Sequence, residues 1–154
     1  MAENPKCSCG QNEKNRIIFP CAGQANTGQI TNLAAIELTE EGYGSIACVA
    51  LLATGAKGII ENSKKADEIV VLDGCPMNCA KKIAQAQRIN VDQHLVMTEL
   101  GITKGASKSY NDDDIEIVVS ACWEGKGKTG DGKPEKCSDE NSGNTCGCGG
   151  SCRK

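Results

Sequence analysis

Eleven of the 154 residues are cysteines, and their placement is the first chemical signal in the chain. The stretch "VVLDGCPMNCAKK", residues 70–82, holds Cys75 and Cys79 just after an apolar run. Their C-x3-C spacing is neither the C-x2-C of a zinc knuckle nor that of a dithiol redox pair. Cys21 and Cys48 follow two other apolar runs, Cys7 and Cys9 form a "CSC", and Cys137, Cys146, Cys148 and Cys152 crowd the C-terminal end. Thiolates bind soft metals and carry out redox and sulfur-transfer chemistry. Free cysteine is also among the most buried residue types, so each one, Cys48 above all, has core filling as its plain alternative. A disulfide scaffold is disfavoured. The cysteine count is odd, and residues 16–122 carry enough apolar periodicity for an unstapled core.

The elements that must position these thiols follow from the apolar pattern. "RIIFP" reads as a strand stopped by Pro20 and followed by the small-residue loop "CAGQAN". Asn26 or Thr27 is placed to cap a helix through "TGQITNLAAIELTEEG", with Ile30, Leu33, Ala34 and Leu38 on one stripe and Gly42 at its end. A second strand is predicted over residues 45–49, a short helix over "AKGIIENSKKAD", and a β-branched strand over "EIVVLDG". Pro76 suits a first helical turn, so "PMNCAKKIAQAQR" predicts the next helix and "QHLVMTEL" a fourth strand. In "NDDDIEIVVSACWEG", Ile115, Ile117 and Val119 alternate like a strand. Ile115, Val118, Val119 and Cys122 form a helical stripe behind an acidic run, which favours helix.

Strands alternating with helices predict an α/β fold, a three-layer open sheet that is mostly parallel, with about four strands and helices on both faces. Three segments result: a polar N-terminal piece at 1–15, the α/β metal-binding domain at 16–122, and a tail at 123–154. The tail is rich in Gly, Lys and Cys and has no Ala, Val, Ile, Leu, Met or Phe, so it is expected to be flexible unless metal orders it.

In an open parallel sheet the C-terminal strand ends share one edge, where ligands bind. Cys21, Cys48 and Cys75 each follow a strand, and Cys79 lies one helical turn beyond Cys75. All four are expected to converge as a tetrahedral thiolate site for a metal ion. A helix starting at Pro76 would turn its positive end toward them. Asp73 would oppose thiolate charge, so it caps that helix, orients a ligand or acts in acid–base chemistry.

"PCAG" with "NTGQITNLAAIEL", then "IACVALLATG", "VVLDGCPMNCAKK" and "HLVMTELGITK", in this order, resemble the DGC-domain family, named for its Asp-Gly-Cys motif. The resemblance runs from Arg16 to Ile117. It implies zinc binding by four ligand cysteines, mapping onto Cys21, Cys48, Cys75 and Cys79, and no particular reaction. The "CSCG" segment and the Cys-rich tail lie outside it.

The expected cofactor is Zn²⁺, with an iron–sulfur cluster as the alternative. The corresponding functions are a cysteine-ligated metal-binding protein, or a thiolate or iron–sulfur enzyme in sulfur transfer or redox chemistry. A metal ion is the expected partner, and a sulfur or metal donor protein a further one. The tail's "CGCGGSC" suits a soft metal and could load the core site. His94 is expected at the far end of its strand from the cysteines, Glu99 at the near end, and Met77 and Asn78 between the ligands. "CAGQANTG" lacks both the Walker lysine and the G-x-G-x-x-G pattern, which argues against nucleotide binding. A net charge of −3 and only four aromatic residues (1 Trp, 2 Tyr, 1 Phe) argue against nucleic acid. No apolar run is long enough for a membrane span, and "MAENPKCSCG" lacks a signal-peptide apolar region, so a cytoplasmic protein is expected.

Overall fold

The computed structural model describes residues 14–129. The elements in chain order are β1 Arg16–Pro20, α1 Asn26–Glu40, β2 Ser45–Ile46, α2 Val49–Ala53, α3 Lys57–Lys65, β3 Glu68–Asp73, α4 Cys79–Ala86, β4 Gln93–Val96, a 3₁₀ turn Met97–Leu100, and α5 Asp112–Trp123. The four strands pair in the order β2-β1-β3-β4, all parallel.

Period-2 alternation sends the two faces of each strand into separate cores. Ile18, Val70, Leu72 and Leu95 pack under α1 and α5 with Ile30, Ala34, Leu38 and Val118. Phe19, Ile69 and Val71 pack on the other face with Leu52, Ala80 and Ala84 of α2 and α4. The architecture is the expected α/β layering, and the ambiguous last segment is helix α5. Its start is fixed by a capping box: Asn111 Oδ1 accepts the Asp114 N–H, and Asp114 returns a bond to the Asn111 N–H.

Three local readings are corrected. The second strand stops at Ile46, because Cys48 already caps α2: its Sγ accepts the Leu51 N–H at 3.4 Å. Residues 76–78 are turn rather than helix. Asn78 sits at φ 52, and α4 begins only at Cys79. Asn26 does not cap α1. It is the first helical residue, and its side chain binds a distant loop instead. The chain also stays on the domain past Trp123. The His94 N–H donates to Gly127 O at 2.9 Å, the Thr129 N–H donates to Asp92 O at 3.0 Å, and Gln93 bridges Lys128 antiparallel. The rest of the tail and residues 1–13, with Cys7, Cys9, Cys137, Cys146, Cys148 and Cys152, lie outside the described residues.

Candidate thiol site at the sheet edge

The strand order decides which thiols meet. The chain leaves β1 toward β2 on one side and returns to β3 on the other, so the order reverses between β1 and β3. Helices leaving such neighbours go to opposite faces, which opens a crevice beyond the strand ends. Cys21 follows β1 and Cys75 follows β3, one on each side of that crevice. Cys48 follows β2, on the outer side of β1. Adjacent strands lie about 4.8 Å apart, which puts β2 about 10 Å from β3.

The cavities follow this arrangement. Cys21, Cys75 and Cys79 line one cavity of about 370 Å³. Cys48 lines a neighbouring one of about 470 Å³, which it shares with Cys21. Three of the four expected ligands are therefore brought to one space, and the fourth stands behind Cys21. Among the described residues, no three Cys, His, Asp or Glu side chains are gathered closely enough to hold a metal ion. The donor set nevertheless suits a soft ion, being three free thiols with no carboxylate on the cavity wall.

Each sulfur has its own setting. Cys21 is half-buried, its Sγ accepts the Gly74 N–H at 3.3 Å, and it lies 3.7 Å from Thr31 Oγ1. Cys75 is half-buried, and Lys104 Nζ donates to its Sγ at 3.6 Å. Cys48 and Cys79 are exposed. Cys122 is core, as expected, and burial pushes its thiol up to about 12.

The family model for the DGC domain matches residues 17–122. The chain belongs to the DGC-domain family. Among curated proteins it is similar to the anaerobic and virulence modulator AnvM of Pseudomonas aeruginosa, 24% identical over 100 residues, covering 65% of this chain and 76% of that protein. No solved structure matches.

Each residue of the DGC triplet has a distinct physical task. Asp73 is 1% exposed. Its carboxylate accepts the Ala80 N–H at 2.8 Å and the Lys81 N–H at 3.1 Å, and pairs with His94 Nε2 at 3.0 Å. It is therefore the cap of α4, one of the three roles left open by the sequence. The first amides of that helix point to a carboxylate rather than to the sulfurs. His94 is drawn in as the partner of Asp73. Gly74 is required by close approach: a Cβ there would lie 2.8 Å from Gly28 N. Cys75 then emerges at the cavity wall.

The DGC chain also uses residues that periodicity alone did not single out. Asn26, 3% exposed, donates to Thr103 O at 2.9 Å and Ser109 O at 2.8 Å and accepts the Gly105 N–H at 2.6 Å. This pins the 103–109 loop across the start of α1 and sets Lys104 on the cavity wall. Glu99 and Met77 are exposed and do not line that cavity. Asn78 Oδ1, between Cys75 and Cys79, is buried without a hydrogen-bond partner among the described residues.

Proposed function

We propose that this DGC domain is a cysteine-ligated metal-binding protein, with zinc as the ion. Cys21, Cys75 and Cys79 are its ligands at the sheet edge, and Cys48 supplies the fourth from the adjoining cavity. The single observation that carries this reading is the confluence of three thiols from two strand ends and a helix start on one cavity without a carboxylate. Zinc held by four thiolates carries excess negative charge, and the Lys104 ammonium beside Cys75 complements it. Bound zinc would supply Lewis acidity or a structural clamp. The chain's own part is to present soft donors from rigid elements: Asp73 fixes α4 and so Cys79, while Gly74 holds Cys21 and Cys75 against the start of α1.

A thiolate or iron–sulfur enzyme is the second reading, and the size of the cavity favours it. About 370 Å³ is far more than one ion fills and reaches the lower end of small-molecule sites, roughly 300–1,000 Å³. The similarity to a protein described as an anaerobic modulator is in keeping with either reading, since thiolates respond to oxidants. Metal and acid-labile sulfide content of protein purified without oxygen, with its visible spectrum, separates them. Zinc without colour supports the first reading. Iron and sulfide in equal amount, with absorption that bleaches on reduction, replaces it with the second.

A further inference from the structure

The part of the thiol cavity formed by the start of α1 and the 103–109 loop is built for negative charge. α1 is a 15-residue helix whose N-cap, Ala25, has no side chain to satisfy the first amides. The Asn26 N–H donates to Gly105 O and the Gln29 N–H to Ala25 O, while the Thr27 and Gly28 N–H groups have no partner among the described residues. Both of these residues line the cavity. A helix start alone is a weak indication, but a second observation stands beside it. Thr27 is only 1% exposed, and its hydroxyl has no hydrogen-bond partner among the described residues. A hydroxyl on a residue of the cavity wall that bonds to nothing among the described residues is free to donate to a ligand.

Charge and shape agree with this. Lys104 is the sole charged residue on the wall, it makes no ion pair with a carboxylate among the described residues, and no Asp or Glu lines the space. Asp73, the nearest acid in sequence, faces the α4 amides and His94. A Cβ on Gly74 would sit 2.8 Å from Gly28 N, so only glycine lets the end of β3 pass this close to the start of α1.

From this juxtaposition we infer that the cavity binds a small oxyanion, of the size of sulfate or phosphate. Lys104, the Thr27 hydroxyl and the free α1 amides hold it, beside the Cys75 sulfur. Helix-start amides with a lysine are a recurrent oxyanion cradle. The inference goes beyond metal binding and does not depend on it. The anion uses the α1 amides and Thr27, the metal would use the cysteines, and Lys104 beside Cys75 borders both.

The test is isothermal titration of the metal-free full chain with sodium sulfate, and separately with sodium phosphate, at ionic strength held constant with sodium chloride. Saturable binding of either anion is expected. Lys104→Met should weaken it about tenfold, the loss expected for a charge-assisted bond. Thr27→Val should weaken it several-fold, while Thr27→Ser retains it. Lys104 is exposed, so its replacement tests the site even where Thr27→Val does not fold. Heats that match the chloride control, or unchanged affinity in Lys104→Met, overturn the inference. Zinc content is measured on separate anion-free samples of the same proteins. A chain that holds zinc and ignores both anions defeats the anion site alone, and a chain that binds the anions and takes no zinc defeats the metal reading alone.

Discussion

Replacing Asn26 with alanine should loosen the cavity from its far side. The side chain makes three hydrogen bonds of 2.9, 2.8 and 2.6 Å to Thr103 O, Ser109 O and the Gly105 N–H, and is 3% exposed. At about 1 kcal/mol net per bond, a value that already counts the water the freed groups regain, the loss is about 2–3 kcal/mol. A domain of this size has about 5–15 kcal/mol of stability, so the variant still folds. With a urea slope of about 1.5–2 kcal/mol per M, the unfolding midpoint falls by about 1–2 M. Asn26→Asp keeps the acceptor for Gly105 but turns a buried carboxylate oxygen on the two carbonyls, so it should lose at least as much as alanine. The local readout is hydrogen exchange. The Gly105 amide loses its acceptor in Asn26→Ala and exchanges at least ~10-fold faster, by local opening of the loop alone. A midpoint shift equivalent to less than about 0.5 kcal/mol, with Gly105 protection unchanged, would refute the role given to Asn26.

Gly28→Ala should reverse the usual helix rule. Alanine normally gains about 1 kcal/mol over glycine in a helix, but here the Cβ would lie 2.6 Å from Gly23 backbone atoms. The variant should therefore lose about 1–3 kcal/mol in urea titration, and a gain would contradict the packing described. Glu68 tests the acid limb of stability. Burial raises its carboxyl, but the ion pairs with Lys14 (2.8 Å) and Arg16 (2.6 Å) outweigh burial and bring it from 4.5 to about 2. Its stabilisation, about 1–2 kcal/mol after screening, is complete above pH 4.5 and fades as the pH falls toward 2. Glu68→Gln should lower stability at pH 7 and flatten its decline across that window, and an unchanged pH profile would count against the pairs. Cys122, whose thiol is pushed up to about 12 by burial, should resist iodoacetamide in the native protein at pH 8 and react only after unfolding. Peptide mass mapping that finds Cys122 labelled as fast as the exposed Cys79 would contradict this.

The sheet was legible in the sequence because its strands are apolar runs that end at Pro20 or Gly74, and because Ile30, Ala34 and Leu38 repeat at helical spacing. The grouping of the thiols was only partly legible. Periodicity places Cys21, Cys48 and Cys75 at strand ends, but it does not give the order in which the strands lie. The order β2-β1-β3-β4 sets Cys48 on the outer side of β1 while Cys21 and Cys75 face each other across the switch. Asn78 shows another limit. A left-handed residue at φ 52 delays the helix that Pro76 seemed to start. The residues opposite the cysteines were legible least of all. Lys104 reaches Cys75 across 29 residues, and Asn26 reaches Ser109 across 83. Contacts at that separation leave no mark on local spacing, and an asparagine before an apolar stripe reads as a cap wherever its side chain goes.

The central claim, that the sheet-edge thiols hold a metal, is tested most directly by metal content in a full-length chain purified without oxygen. In that chain Cys7, Cys9, Cys137, Cys146, Cys148 and Cys152 are replaced by serine, so that the domain cysteines are judged alone. About one equivalent of zinc per chain is predicted, lost on adding Cys21→Ser, Cys75→Ser or Cys79→Ser and weakened by Cys48→Ser. A chain that remains folded but carries no metal, or one whose metal survives all four changes, would contradict the account.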